Sequence, residues 1–325
     1  MKKFWSVASV AMALCSALLP FSAAHSQTYP NRPIVLVVPF APGGGADAAA
    51  RKIAEPLSKR LGQPIVIENR AGAGGVTGAS HVARSAPDGY TLLWTTPGQQ
   101  MTLPHMTKMP YDALTAFAPV SQALYAAGIL VVHRDLPVNS VAELIAYAKA
   151  HPGEISFASA GVGASSHLAG ELFKSEAGID IVHVPYKGTG PAVIDVASGR
   201  VKMAIDSLSV YQPQLAAGTV RALGVASVER NPGMPELPPI ADTLAGFEAA
   251  PVNYFLAPAN TPKPVIDKLN TEINAVLADP ELQAWFIKSG GIVLKGGTPE
   301  QLDALIRDES AKWKKVIERS GAKAE

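Results

Sequence analysis

Apolar, strand-like runs that break into glycine-rich turns and then into helix-period segments recur along this chain. That order constrains its fold more than any other feature. In VVPFAPGGGADAAARKI (37–53), the run IVLVV (34–38) leads into Gly43, Gly44 and Gly45 and then into a helix from about Ala46. Ala49, Ile53, Leu57 and Leu61 share one face of that helix, and Gly62 is its stop. PIVIEN reads as a second strand, AGAGGVTGASHVARSAPDGY as another glycine turn, helix and stop, and TLLWTT as a third strand.

The pattern restarts after about residue 128. GILVVHRD, ISFAS, DIVHVPY, VKMAID and VRALGVAS read as strands, and SVAELIAYAKAHP, SSHLAGELFKSEAG and GPAVIDVASGR as helices. A Pro-rich passage, RNPGMPELPPI, follows, then VNYFLAPANTPKPV, and residues 263–319 are mostly helical. The alternation predicts an α/β fold of parallel sheets covered by helices. Two such units predict two lobes around a cleft, with crossings near 125–130 and 248–254: residues 27–127 plus 251–325, and residues 128–250. In open α/β sheets ligands sit beyond the carboxyl ends of the strands, where all these glycine turns fall.

The N-terminus stands outside this pattern. MKK followed by FWSVASVAMALCSALLPF and SAAHSQ has the charged, apolar and small-residue order of a cleavable signal peptide, residues 1–26. The apolar run is short for a span of about 20 residues and carries a proline. Cys15, the single cysteine, lies inside it, so the exported chain has no thiol for nucleophilic catalysis, zinc–thiolate binding or disulfides. The chain's net charge is +1, and cleavage removes two lysines and no acid, leaving −1. With Lys and Arg scattered, that charge gives no support to nucleic-acid binding.

The glycine turns are the candidate chemistry. In PFAPGGGAD (39–47) the glycines let successive N–H groups point into one concavity at a helix N-terminus, a setting for an anion. The alternative is a tight turn with Asp47 as a cap. There is no Walker lysine and no dinucleotide-binding glycine spacing, so no cofactor is expected. SAGVGASSHLAGELF (159–173) repeats the pattern, with Ser165, Ser166 and His167 at the helix start. A serine hydrolase reading lacks the G-x-S-x-G elbow and a carboxylate partner, and His167 reads better as orienting the loop or packing on the sheet. YKGTGP offers Lys187 as a counter-charge, and Asp206 ends a buried strand and needs donors. Thr95, Thr96, Gln99 and Gln100 could line the cleft. The scattered histidines show no metal-ligand spacing, so no metal is expected. Backbone N–H and hydroxyl groups with almost no fixed cations suit reversible holding of a carboxylate, not catalysis.

YPNRPIVLVVPFAPGGGADAAARKIAEPLSKRLGQPIVIENRAGAGG, PDGYTLLW, GVGASSHLAGELF, VPYKGTGPAVIDVASGRV and LAPANTPKPVIDKLN closely resemble the tripartite tricarboxylate transporter substrate-binding receptors, the Bug family of periplasmic binding proteins. The match runs in the same order from Tyr29 almost to the C-terminus. The resemblance implies a two-lobe, type II "Venus flytrap" that closes on a small organic acid and delivers it to large and small membrane permease subunits. It implies that one ligand carboxylate is gripped by the loop Phe40–Asp47 (Phe40, Ala41, Gly43, Gly44, Gly45 and Asp47) and by the loop Ser159–His167 (Ser159, Gly161, Gly163, Ala164, Ser165 and His167). Thr95, Gln99, Tyr186 and Asp206 are then expected to read the ligand's other end. Ala46, Ala164 and Val162 stand where relatives often carry polar side chains, which predicts a more apolar pocket. The expected product is a monomeric periplasmic receptor. A ligand sensor for a signalling partner, or a secreted hydrolase using Ser165 or Ser166 with His167, is the alternative.

Overall fold

The structure is a computed structural model that describes residues 29–126, 128–162, 164–186, 188–250 and 252–321. The expected signal peptide, Cys15, Gly163 and Lys187 lie outside the described residues.

The chain forms two sheets. β1 (Ile34–Val38) buries Ile34, Leu36 and Val38 on one face and Val37 on the other, as a continuous apolar run should. It leads into α1 (Gly45–Leu61), whose Ala49, Ile53, Leu57 and Leu61 are buried and which ends at Gly62 in the left-handed conformation (φ 67°). The three larger of those side chains contribute about 1.5–3 kcal/mol each to holding the helix on the sheet. β2 (Ile65–Asn69) and β3 (Thr91–Thr95) pair with β1 in parallel. Between them, Ala73–Gly75 forms a short 3-10 turn and Val76–Ala83 forms α2. β10 (Val252–Pro258) lies antiparallel between β3 and β4 (Phe117–Tyr125), and β11 (Val293–Leu294) completes the order β11-β4-β10-β3-β1-β2.

The second sheet contains β5 (Gly128–His133), β6 (Ser156–Ser159), β7 (Val182–Pro185), β8 (Met203–Ser207) and β9 (Val220–Val225), in the order β7-β6-β8-β5-β9. Its helices are α3 (Val141–Ala150), α4 (Ser165–Ala177), α5 (Thr189–Ala197) and α6 (Leu208–Ala216). The chain passes from the first sheet to the second between Tyr125 and Gly128, and back between Val225 and Val252. α7 (Lys263–Leu277), α8 (Pro280–Lys288) and α9 (Pro299–Ser320) finish it. One buried cluster runs from Val37 and Leu93 through Trp313 and Ile317 of α9 to Leu168 and Leu130.

Both sheets are mixed, which corrects the expectation of parallel sheets. β6, β7 and β8 are parallel, but β5 runs antiparallel to β8 and β9, and β10 antiparallel to β3 and β4. The strands that flank the two crossings, β4, β5, β9 and β10, all stand in antiparallel pairs.

Candidate functional site

A cavity of about 400 Å³ opens beyond the carboxyl ends of strands from both sheets. One wall is Phe40, Gly74 and the segment after β3, which includes a single π-turn at Gly98–Thr102. The facing wall is Ala164, Ser165 and Leu168 at the start of α4. Tyr125, Glu248, Ala249, Ala250 and Val252 come from the two crossings, and Leu305, Glu309 and Trp313 from α9. Among the described residues the lining holds no Lys, Arg or His, and most of it is apolar, as in small-molecule sites generally.

The first glycine turn adjoins Phe40 and is solvent-exposed from Ala41 to Gly45. Gly43 takes a φ of 85°, which favours glycine. Gly44 is the N-cap of α1 and no side chain caps the helix. The first intrahelical bond is Ala48 N–H to Gly44 O (2.9 Å), so the N–H groups of Gly45, Ala46 and Asp47 have no partner within the helix.

Asp47 faces away from the cavity, into its own loop. Its Oδ2 accepts from Gly43 N–H (2.9 Å) and Arg51 Nε (3.0 Å), and its Oδ1 from Asn69 Nδ2 (2.9 Å). Asn69 Nδ2 also donates to Phe40 O (3.1 Å), and Arg51 Nη2 to Asn69 Oδ1 (3.0 Å). The Arg51 hydrogen bond, helped by Gly43 and Asn69, holds the Asp47 pKa down at about 2 despite burial. Asn69 and Arg51 are loop-setting residues absent from the sequence reading. Arg51 sits four residues after Asp47 on one helix face, whereas Asn69 arrives only through the β1–β2 register, opposite Val38.

The second turn is built alike. Ala164 is the N-cap of α4 and offers no side-chain cap. Leu168 N–H to Ala164 O (3.0 Å) is the first helical bond, leaving the N–H groups of Ser165 and Ser166 without a helical partner. Ser165 is exposed and lines the cavity. Ser166 is buried, its Oγ accepting from Ala160 N–H (3.1 Å), and it lines a small pocket together with Asp206. Ser159 is also buried, with Oγ 2.6 Å from His183 Nε2 and accepting from Gly161 N–H (3.2 Å). His167 stacks on His183 with ring centroids 4.0 Å apart, and Phe157 stacks on His183 at 4.8 Å. Burial, and secondarily His167, lowers the His183 pKa to about 4.

The expected readers of the ligand's far end are placed unevenly. Gln99 lines the cavity, but its Oε1 accepts from Thr95 Oγ1 (2.6 Å) and Thr96 Oγ1 (3.2 Å), and its Nε2 donates to Gly74 O. It staples the turn after β3 to the 73–75 turn. Thr95 is fully buried behind the wall, and Thr96 lines it. The Tyr186 hydroxyl donates to Asp195 (2.7 Å), and burial first, then that bond, pushes its pKa up to about 12. Asp206 accepts from Ser207 N–H (2.7 Å) and, with Ser165, lines a small pocket beside the main cavity. Burial raises its pKa.

The structure therefore gathers Phe40, Gln99, Ala164 and Ser165 in the lining of one cavity. Ala41, Gly43, Gly44 and Gly45 lie in the exposed turn beside it, and Gly161 in the loop before α4. Asp47, Thr95, Ser159 and His167 lie behind the lining, and Tyr186 turns to α5. Of the three departures, Ala164 faces the cavity, Ala46 packs against the core of the first sheet, and Val162 is exposed and outside the lining. Tyr125, Glu248, Glu309 and Trp313 were missed, because only the tertiary fold brings the crossings and α9 to the cavity. Among the described residues no group of three or more His, Cys, Asp or Glu could hold a metal ion.

Comparison with known proteins places these features in context. A family model described as "Tripartite tricarboxylate transporter family receptor" matches residues 49–322. Protein BugT of Bordetella pertussis is 37% identical over 326 aligned positions, 99% of each chain. A solved structure of an R. palustris protein with adipate is 38% identical with a TM-score of 0.74, covering 91% of this chain and 99% of that one. MatC from Rhodopseudomonas palustris, solved with bound malate, is 32% identical with a TM-score of 0.69, covering 89% and 100%.

Proposed function

Because this chain belongs to the tripartite tricarboxylate transporter receptor family, we propose that it captures a small organic carboxylate in the cavity between its two sheets and hands it to membrane permease subunits. It is a solute-binding protein, not an enzyme. The observation that carries the ligand class is a pair of helix N-termini without a side-chain cap: α4 starts in the cavity lining, and α1 starts in the exposed turn that follows Phe40 of that lining. The N–H groups of Gly45, Ala46, Ser165 and Ser166 and the two helix dipoles favour a negative group. The Ser165 hydroxyl adds a donor from the wall. Relatives solved with adipate and malate bind ligands of this class.

In this reading Asp47, Asn69, Ser159 and His183 hold the two loops in shape rather than touch the ligand. The first lobe is residues 27–127 with 251–325 and the second is 128–250, closing about the crossings near Tyr125 and Glu248. The chain reaches the periplasm by export on residues 1–26 and works as a monomer.

Thermal unfolding of residues 27–325 against organic acids and their matched neutral amides tests the ligand class. A ligand that binds only the folded state stabilises it by about 2.7 kcal/mol at a hundredfold excess over Kd. An acid should raise the unfolding temperature and its amide should not. Equal shifts for acid and amide would refute the anion loops.

A further inference from the structure

Glu248 stands apart from the other charged groups at the cavity. It lies half-buried on the returning crossing and lines the cavity, yet its carboxylate makes no hydrogen bond or ion pair with any described residue. Glu309, also in the lining, is 2.6 Å from Lys312 Nζ. Lys312 reaches Glu248 only at the main-chain carbonyl (2.9 Å). The ionisable groups facing Glu248 are Glu309, Glu229, Lys312 and Lys295, so three carboxylates stand against two ammonium groups. Burial raises the Glu248 pKa and Glu309 raises it further, while the two lysines work against the rise. A carboxylate taken out of water without a partner is costly, and a cation brought by a ligand would relieve that cost.

The same lining also holds a group of the opposite polarity, where Ala164 and Ser165 present the amide-rich start of α4. The rest of the lining includes the apolar side chains of Phe40, Met101, Leu103, Leu168, Leu305 and Trp313. We propose that Glu248 reads a cationic group on the ligand, so that the preferred solute is an amine-bearing carboxylic acid with an apolar body, and a second carboxylate in place of the amine is disfavoured. This rests on the carboxylate reading above and sharpens it. The apolar side chains of the lining hold the ligand's body, while the α4 start and Glu248 recognise opposite charges.

Calorimetric titration of the exported chain with two matched series tests this. One series is aminocaproate, adipate and caproate. The other is para-aminomethylbenzoate, terephthalate and para-toluate. Within at least one series the amine-bearing acid should bind about tenfold or more tighter than the diacid, a difference of about 1.4 kcal/mol. Glu248→Gln should remove most of that preference without lowering the unfolding temperature of the unliganded protein. Diacids that bind as tightly as the amino acids in both series, or selectivity unchanged in Glu248→Gln, would overturn the role of Glu248 and leave the carboxylate reading standing. Binding of the amines' neutral amides as tightly as the acids would overturn both. The wild-type series decides the ligand class even if the variant folds poorly.

Discussion

Replacing Asp47 with asparagine probes how the first loop is held. The carboxylate accepts hydrogen bonds from Gly43, Arg51 and Asn69 at 2.9, 3.0 and 2.9 Å. Asparagine keeps one oxygen. Its better orientation keeps the Gly43 and Arg51 bonds and turns an NH2 against the Asn69 NH2. One bond is lost and the other two lose their charge. Bonds to charged groups contribute about 1.5–3 kcal/mol each, so the total loss should be about 2–4 kcal/mol. For a cooperative unit of a few hundred residues that is a drop of roughly 5–10 °C in Tm at neutral pH.

The pH dependence checks the cause. Asp47 has a folded pKa of about 2, below its unfolded value. Its contribution is full above the unfolded value of about 3.9 and is lost as pH falls through about 2. The gap between wild type and Asp47→Asn should therefore narrow from pH 5 toward pH 2, as followed by circular dichroism melts. Equal melting at pH 7, or a gap that stays constant into acid, would refute the loop-holding role.

Further perturbations separate binding from folding. A Cβ at Gly44 would meet only Ala41 O at 3.7 Å, so Gly44→Val should leave the unliganded Tm unchanged while weakening carboxylate binding about tenfold or more by calorimetry. For His183, the folded pKa of about 4 lies below the ordinary value of 6.5. The unfolded chain takes up that proton first, so its stabilising contribution is full above about 6.5 and is lost as pH falls through about 4. Melts of His183→Gln should lack that part of the wild-type loss. A Cβ at Gly170 would clash with the Phe157 ring. Gly170→Ala should cost about 1–3 kcal/mol in urea unfolding by overpacking α4 on β6, with ligand preference unchanged.

Local elements were legible because local rules fix them. The apolar run of β1, the one-sided face of α1 and the stop at Gly62 all lie in adjacent residues, and the structure keeps them. β4 was not legible, since Pro119, Ser121 and Gln122 interrupt its apolar pattern. Ser121 is tolerated inside because its hydroxyl finds Gln122 O (2.8 Å) and Asn274 Oδ1 (3.0 Å), the latter far along the chain. The π-turn at Gly98–Thr102 and helix α6 carry little amphipathic periodicity, and strand direction depends on where the crossings fall. In the site, the glycine turns announced themselves by composition. Which of their polar atoms are already engaged was not readable. Asp47 and Gln99 look like ligand groups in sequence, but partners such as Asn69 and Gly74 come from other loops. Glu248 and Glu309 are far apart in sequence and meet only at the cavity.

The most direct measurement is an amide NMR titration of the isotopically labelled exported chain with a carboxylate that raises its Tm. Hydrogen bonding to the ligand should move the N–H signals of Gly45, Ala46, Ser165 and Ser166 downfield together, saturating with one binding isotherm. Saturation with those four signals unmoved would contradict the claim that the two uncapped helix starts hold the ligand's carboxylate.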